Sequence, residues 1–197
     1  MKAYIYDPPR NNSTDFYWFK DGFTTEELDK ISKQVEQIPF QVANTASDME
    51  DIRTSKIKWI PQTEEWNWLY EKLMMFARIA NDEMWQFDLT SAPEHIQYTE
   101  YHGDVNGEYS WHQDIGPDEL STRKISITVQ LSDNSEYEGG DLKFWLGGKN
   151  LEDNALFAQR GKGTVILFPS YLYHAVTPVT KGIRKSFVLW LGGGHYK

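Results

Sequence analysis

Apolar residues recur at helical spacing in the stretch that follows Thr24. Glu27 stands three residues after Thr24, and this pairing is the sequence signature of a capping box. The apolar positions stop at Pro39, and they are Leu28, Ile31, Val35 and Ile38. The pattern predicts an amphipathic helix with one buried face.

A longer helical pattern follows Pro61. The hydroxyl of Thr63 is positioned to cap it, and Glu64 and Glu65 favour the positive end of a helix. The apolar stripe continues to about Asn81, and its members are Trp66, Leu69, Tyr70, Leu73, Phe76, Ala77 and Ala80. This spacing predicts a second amphipathic helix.

Alternating patterns typical of strands occupy the rest of the chain. One lies between the two helices and the others follow the second helix, separated by Gly and Asn turns. The predicted strands are 53–60, 85–89, 95–101, 109–115, 124–132, 141–146, 163–168, 174–179 and 184–191. We therefore predict an α+β, mainly β protein with a double-stranded β-helix (jelly roll) core and two supporting N-terminal helices. Residues 1–197 are expected to form a single domain, with helical support in 1–90 and the jelly-roll core in 91–197.

The amino-acid composition limits the kinds of molecule that the protein is expected to bind. The formal net charge is -9, so the field of the protein repels phosphate backbones and anionic membrane surfaces. The chain contains no cysteine, which excludes disulfides, zinc–thiolate sites and thiol nucleophiles. No run approaches the roughly 18 apolar residues of a membrane span, and the N-terminus lacks the apolar core of a signal peptide. We predict a cytoplasmic protein with neither a nucleic-acid nor a membrane partner.

His112 and Asp114 are the first candidates for chemistry. Two residues apart on a predicted strand, they point to the same face. His174, on a later predicted strand, is the best candidate for a third ligand. Two neutral imidazoles and one carboxylate on one side of a metal leave the opposite positions open, as in the facial triad of non-haem Fe(II) oxygenases.

Arg184 follows His174 by ten residues, at the start of the last predicted strand. A guanidinium beside an open metal site can hold a carboxylate through two parallel hydrogen bonds. The conjunction of this arginine with both ligand segments is much rarer than either feature alone.

These features together resemble a known family, the Fe(II)- and 2-oxoglutarate-dependent dioxygenases, in its prolyl 4-hydroxylase-like branch. The resemblance covers residues 53–190 and is densest from Gln97 onward. The matching motifs, in chain order, are Gln97-Tyr98-x2-Tyr101, Tyr109-x2-His112-x-Asp114, Leu131-Ser132, Gly139-Gly140-Asp141-Leu142, Phe168-Pro169 and His174-x-Val176-x-Pro178-Val179-x2-Gly182-x-Arg184.

The resemblance implies a cofactor set and a role for each matching residue. His112, Asp114 and His174 would hold Fe(II), and Arg184 would bind the far carboxylate of 2-oxoglutarate, with O2 as cosubstrate and ascorbate as reductant. Further residues are expected around the cosubstrate or the prime substrate. Tyr101 is expected beside the cosubstrate, and Trp190 and Arg53 beside the prime substrate, with residues 41–58 as a possible lid.

Three more positions are candidates for binding. Thr128 and Gln130 share one face of an alternating strand with Ser126, and they either line the cosubstrate pocket or face solvent. Tyr109 flanks the ligands, where it either contacts the prime substrate or packs in the core.

The function predicted from these residues is 2-oxoglutarate- and O2-dependent hydroxylation of a prolyl residue in a peptide or protein partner, with release of succinate and CO2. The alternative within the same class is hydroxylation of a free amino acid, another small molecule or another side chain. The alternative from a different class is a non-catalytic jelly-roll binding module, although such a module needs no open metal positions.

Overall fold

The first helix is built on the predicted capping box. In the computed structural model, which describes residues 15–42, 52–152 and 154–195, α1 spans Thr25–Glu36. The Glu27 N–H donates to Thr24 Oγ1 at 3.3 Å, and the Thr24 N–H donates to Glu27 Oε2 at 2.8 Å. The predicted cap is therefore confirmed.

The second helix, α2, spans Asn67–Met84 and begins differently from the prediction. A 3-10 turn, Glu64–Trp66, precedes it, and the Thr63 hydroxyl forms no capping hydrogen bond. The Trp66 N–H donates instead to the Thr63 carbonyl at 2.9 Å. The predicted side-chain cap is wrong because a backbone turn already occupies this helix start. The predicted apolar stripe is confirmed, since all seven of its members are buried.

Thirteen strands are found in the described part of the chain. In chain order they are β1 Tyr17–Phe19, β2 Gln41–Val42, β3 Lys56–Ile60, β4 Leu89–Ser91, β5 Ile96–His102, β6 Tyr109–His112, β7 Arg123–Gln130, β8 Tyr137–Gly139, β9 Leu142–Trp145, β10 Ala155–Phe157, β11 Val165–Pro169, β12 His174–Val176 and β13 Val179–Gly193.

These strands form two sheets. The larger has the order β1-β11-β7-β13-β5-β3-β2, with β4 and β8 also paired to β13, and the smaller has the order β10-β9-β12-β6. The strand pairs are antiparallel throughout the described registers. The predicted double-stranded β-helix with two helices is confirmed, and the first ninety residues also supply strands to the larger sheet.

Two hydrophobic clusters hold these layers together. The first lies between the helices and the larger sheet, where Leu69 and Leu73 of α2 are buried with Ile127 and Phe187. The second lies between the two sheets and includes Phe144 of β9 and Phe168 of β11. Each face of the larger sheet is thus covered, and the gap between the sheets is the place left for a cavity.

One predicted strand, 85–89, is wrong. The Trp85 N–H donates to the Asn81 carbonyl at the end of α2, and Gln86 has a left-handed φ of 56°. The Asn81 side chain then holds both the N–H and the carbonyl of Phe87. The alternating aromatics reflect stacking of Trp85 on Phe87, and the strand begins only at Leu89.

None of the helices in the described ranges is both long enough and apolar enough to cross a bilayer.

The two helix starts form a matched pair for a stability test. We expect Thr24→Ala to lower the free energy of unfolding by about 1 kcal/mol, because it removes the hydroxyl that accepts from the Glu27 N–H. Thr63→Ala should change it by less than about 0.5 kcal/mol, because the hydroxyl has no cap partner. Urea unfolding followed by circular dichroism measures both, and equal losses would contradict the assigned caps.

Candidate metal centre

The smaller sheet brings the candidate ligands together. Because β6 and β12 are paired, His174 lies opposite His112, with ring centroids 4.1 Å apart. His112 Nε2 lies 3.7 Å from Asp114 Oδ1, and His174 Nε2 lies 3.5 Å from Asp114 Oδ2. One ligand atom from each residue falls within 4.8 Å of the others, and no other such group of three is found among the described residues.

Both imidazoles are fixed in the orientation that a metal requires. His112 Nδ1 lies 2.8 Å from the Ser110 carbonyl oxygen, and His174 Nδ1 lies 2.8 Å from the Leu172 carbonyl oxygen. A carbonyl oxygen can only accept, so each Nδ1 carries the proton. Each Nε2 is therefore left with a lone pair directed at the cluster, as metal-binding histidines require.

Asp114 reaches the cluster from outside the strand. β6 ends at His112, so the prediction that one strand face carries both ligands is wrong. The Asp114 N–H donates to the Ser170 carbonyl, and Arg123 Nη1 donates to the Asp114 carbonyl, both at 2.9 Å. Ser126 Oγ donates to Asp114 Oδ2 at 2.6 Å. Two hydrogen bonds at its backbone and one at its carboxylate, all with later residues, thus position Asp114.

Electrostatics favours the protonation states that bind a metal. Burial and the neighbouring His174 lower the pKa of His112 to about 3, so its imidazole is neutral at physiological pH. Burial alone would raise the pKa of Asp114, but His174, His112 and the Ser126 hydrogen bond outweigh it and lower that pKa. A neutral His112 imidazole beside an ionised Asp114 carboxylate is a pair of ligands that suits Fe(II).

A cavity of about 780 Å³ opens beside this cluster. Alternate residues of β13 line it, namely Arg184, Ser186, Val188 and Trp190. The cluster lies at the smaller sheet and these residues at the larger one, so the cavity occupies the space between the sheets.

Arg184 is only 2% exposed. Its Nη2 donates to Gln130 Oε1 at 3.0 Å and its Nη1 to Ser186 Oγ at 3.3 Å, while Nε has no partner. No acidic side chain in the described ranges forms an ion pair with it. A buried, uncompensated guanidinium is costly, so this site suits an anionic ligand.

The remaining predicted residues lie around the same cavity or support it. Tyr101 lies opposite Arg184 in the β5–β13 pairing, with its ring 5.4 Å from the guanidinium. Thr128 lines the cavity and Gln130 accepts from Arg184. The alternative that these two side chains face solvent is wrong, because they are 6% and 2% exposed.

Three further predicted residues line the same cavity: Trp190, Arg53 and Tyr109. The Trp190 ring lies 6.4 Å from that of Trp59 and 4.0 Å from the Arg123 guanidinium. Residues 43–51 of the possible lid lie outside the described residues.

Sequence reasoning missed Arg123 and Ser170, and it placed Ser126 on the polar face that could line the cosubstrate pocket without a role at the metal. Arg123 is buried, forms an ion pair with Glu94 and bonds to the Asp114 carbonyl. Nothing in the local pattern marks Arg123 or Ser170 as contacts of a ligand. Ser126 could have been found, because it shares its strand face with Thr128 and Gln130.

Comparison with known proteins agrees with this geometry. The family model of the 2OG-Fe(II) oxygenase superfamily matches residues 96–192. A PKHD-type hydroxylase of Synechococcus sp. (strain CC9902) is 38% identical over 90 residues, covering 45% of this chain and 37% of that protein. A PKHD-type hydroxylase of Sphingopyxis alaskensis is 30% identical over 117 residues, covering 57% of this chain and 50% of that protein. The chain thus matches half or less of the length of these relatives.

Solved structures share the fold at low identity. A prolyl-4-hydroxylase of Pseudomonas putida superposes with a TM-score of 0.68 and 19% identity, covering 92% of this chain and 94% of that one. A prolyl hydroxylase of Trichoplax adhaerens, in complex with a hypoxia inducible factor oxygen degradation domain peptide fragment, superposes with a TM-score of 0.74 and 19% identity. That match covers 92% of this chain and 85% of that one.

The hydrogen bond from Ser126 to Asp114 yields a test of the metal centre. We expect Ser126→Ala to weaken Mn(II) binding by about 10- to 100-fold, because the carboxylate loses the donor that orients it. His174→Ala should remove detectable binding, and Ser135→Ala, in an exposed turn, should leave it unchanged. Electron paramagnetic resonance titration of free Mn(II) measures all three. Wild-type affinity in Ser126→Ala would show that this hydrogen bond does not orient the ligand.

Proposed function

The chain belongs to the 2OG-Fe(II) oxygenase superfamily, and from this premise we propose that it hydroxylates a prolyl residue in a peptide or protein, with 2-oxoglutarate as cosubstrate. The observation that carries the proposal is Arg184, a buried cation without an acidic partner in the described chain, in the same cavity as the His112–Asp114–His174 cluster. A diacid that reaches both places supplies an anionic partner for the Arg184 guanidinium at one end and a ligand at the metal-binding cluster at the other.

In this proposal the clustered residues His112, Asp114 and His174 would hold Fe(II) at the wall of the cavity. Bound iron supplies the redox chemistry that couples decarboxylation of 2-oxoglutarate, with release of succinate and CO2, to hydroxylation by O2. Ascorbate is the expected reductant. The protein's own contribution is to orient the ligands and to exclude water.

Arg184 binds the far carboxylate of 2-oxoglutarate, and its neighbours set its position. Gln130 and Ser186 accept from the guanidinium and so direct its remaining N–H groups. Tyr101 and Thr128 complete the wall around the cosubstrate. The hydrogen bonds to Gln130 and Ser186, at 3.0 and 3.3 Å, are buried, so the guanidinium has little freedom to turn away from the cavity.

The prime substrate occupies the part of the cavity lined by Trp190, Tyr109 and Arg53. An aromatic wall suits the apolar ring of a prolyl residue. Burial raises the pKa of Tyr109 to about 12, so its hydroxyl stays protonated and can donate to a substrate carbonyl. The names of the two structural neighbours, both prolyl hydroxylases, support this substrate class. A single catalytic domain and a cytoplasmic location remain predictions.

Turnover distinguishes the proposed substrate from its alternatives. We expect purified protein with Fe(II), ascorbate and 2-oxoglutarate to form succinate faster when a proline-containing peptide is added, and the peptide to gain the mass of one oxygen atom. A parallel series with free proline and other amino acids tests the small-molecule alternative. No succinate from iron-loaded protein with any substrate would favour a binding module, and oxidation of free amino acids alone would refute the prolyl proposal.

The guanidinium itself is tested by removing it. We expect Arg184→Ala to weaken 2-oxoglutarate binding by about 10²- to 4 × 10³-fold, because losing one partner of a desolvated ion pair costs about 3 to 5 kcal/mol. Mn(II) affinity should persist, since Arg184 is not a ligand.

Lys185→Ala is the matched control for this variant. Lys185 follows Arg184 on β13, so its side chain points to the opposite face of the sheet. Isothermal titration with 2-oxoglutarate measures both variants in the Mn(II)-loaded protein. Unchanged affinity in Arg184→Ala would show that another group binds the far carboxylate.

A further inference from the structure

Residues 53–55 connect the two sheets beside the metal centre. Arg53 forms an isolated antiparallel bridge with Tyr109 of the smaller sheet. The Thr54 N–H donates to the Glu108 carbonyl at 2.9 Å, and the Glu108 N–H donates to the Thr54 carbonyl at 3.1 Å. The chain then continues directly into β3, an inner strand of the larger sheet. This short connection therefore contacts the smaller sheet immediately before the strand that carries His112.

Side chains extend this connection to a ligand. The ring of Tyr109 stacks on the imidazole of His112, with centroids 3.5 Å apart and planes inclined by 17°. The Arg53 guanidinium lies over the same tyrosine ring, with Cζ 4.8 Å from its centroid. Arg53, Tyr109 and His112 thus form a continuous series of planar groups that ends at the metal-binding imidazole.

The far end of this series is anchored in the larger sheet. Arg53 Nη2 donates to Gln97 Oε1 at 2.6 Å and to Thr99 Oγ1 at 3.2 Å, both on β5. Its Nε donates to Ser55 Oγ at 2.7 Å. Gln97 and Thr99 are 4% and 1% exposed, so they are fixed acceptors and not mobile surface groups. The guanidinium is therefore held in one place by its own hydrogen bonds.

We propose that Arg53 is a positioning residue that acts through Tyr109 to hold the His112 imidazole in its metal-binding orientation. This inference rests on the proposed function, in which His112 is a ligand. The Nδ1 hydrogen bond to Ser110 holds one edge of the imidazole. The stacked tyrosine ring covers one face of the imidazole and so opposes any rotation that would break this hydrogen bond. The tyrosine ring in turn keeps its place because Arg53 covers it.

The same contacts make the metal centre sensitive to the order of residues 53–55. When this segment is in place, the guanidinium, the tyrosine ring and the imidazole are packed together. When the guanidinium leaves, Tyr109 gains rotamer freedom and His112 loses its lateral support. Arg53 thereby couples the order of residues 53–55 to the geometry of a ligand more than fifty residues away in sequence.

The orientation of His112 can be followed in the metal-free protein. The ring protons of His112 experience the ring current of Tyr109, and the chain has only five histidines, so their side-chain NMR signals are few. The loss of one signal in His112→Asn assigns it. We expect Arg53→Ala to shift the His112 signal and to weaken Mn(II) binding by about tenfold, as for other residues that orient a ligand.

Matched variants separate this role from a general effect on the fold. Lys56→Ala, at an exposed position of the neighbouring strand, should leave the His112 signal unchanged. Tyr109→Phe keeps the ring and should preserve the signal, whereas Tyr109→Leu should shift it. In the Tyr109→Leu background, Arg53→Ala should cause no further shift, because the intermediary is already gone.

Two results would overturn the proposal. One is an unshifted His112 signal in Arg53→Ala, and the other is an equal shift from Arg53→Ala with and without the Tyr109 ring. If Arg53→Ala fails to fold, Arg53→Lys, which keeps the charge but loses the planar group, carries the same two tests. A wild-type protein that binds no Mn(II) would refute the proposed metal centre, while the NMR signals would still decide how His112 is held.

Discussion

The antiparallel register of β6 with β12 is the constraint on which the site depends. It sets His174 opposite His112, and each histidine fixes its own ring through the carbonyl two residues earlier. A slip of one residue would turn one imidazole to the other face of the sheet. The register is irregular between Val176 and His174, so Tyr109 and His112 both face the cavity although they are three residues apart. Such irregularities often direct side chains at active sites.

The site contains several buried charged or polar groups, which are uncommon in a hydrophobic core. Asp114 and Arg184 are 8% and 2% exposed, and both carry charge. The Asp114 carboxylate accepts one hydrogen bond from the protein, from Ser126, and Arg184 donates to neutral acceptors only. Both charges are therefore suited to ligands of opposite charge, a cation at Asp114 and an anion at Arg184. The clusters of apolar residues on both sides of the larger sheet offset the cost of keeping the guanidinium unpaired.

The fold and the central ligands could be predicted from the sequence where local pattern and tertiary structure agree. The capping box of α1 and the stripe of α2 are local features, and both were predicted correctly. Asp114 was predicted as a ligand candidate for a reason that is wrong, since it lies beyond the strand and is held by Ser126, Ser170 and Arg123. These contacts join residues distant in sequence, and spacing along the chain contains no information about them. The predicted strand at 85–89 is wrong for the opposite reason. Here a local alternating pattern is present, but it arises from the stacking of Trp85 on Phe87 and not from a strand.

One strand face links the two ends of the cavity. Arg184, Ser186, Val188 and Trp190 alternate along β13, so they share a face and span about 20 Å at the usual rise per residue. The proposed cosubstrate contact lies at one end and the proposed prime-substrate contact at the other. The metal cluster belongs to the other sheet, so its distance from these residues is set by the packing between the sheets. Residues 53–55 form hydrogen bonds with both sheets beside the cavity. This segment is therefore in a position to influence that distance.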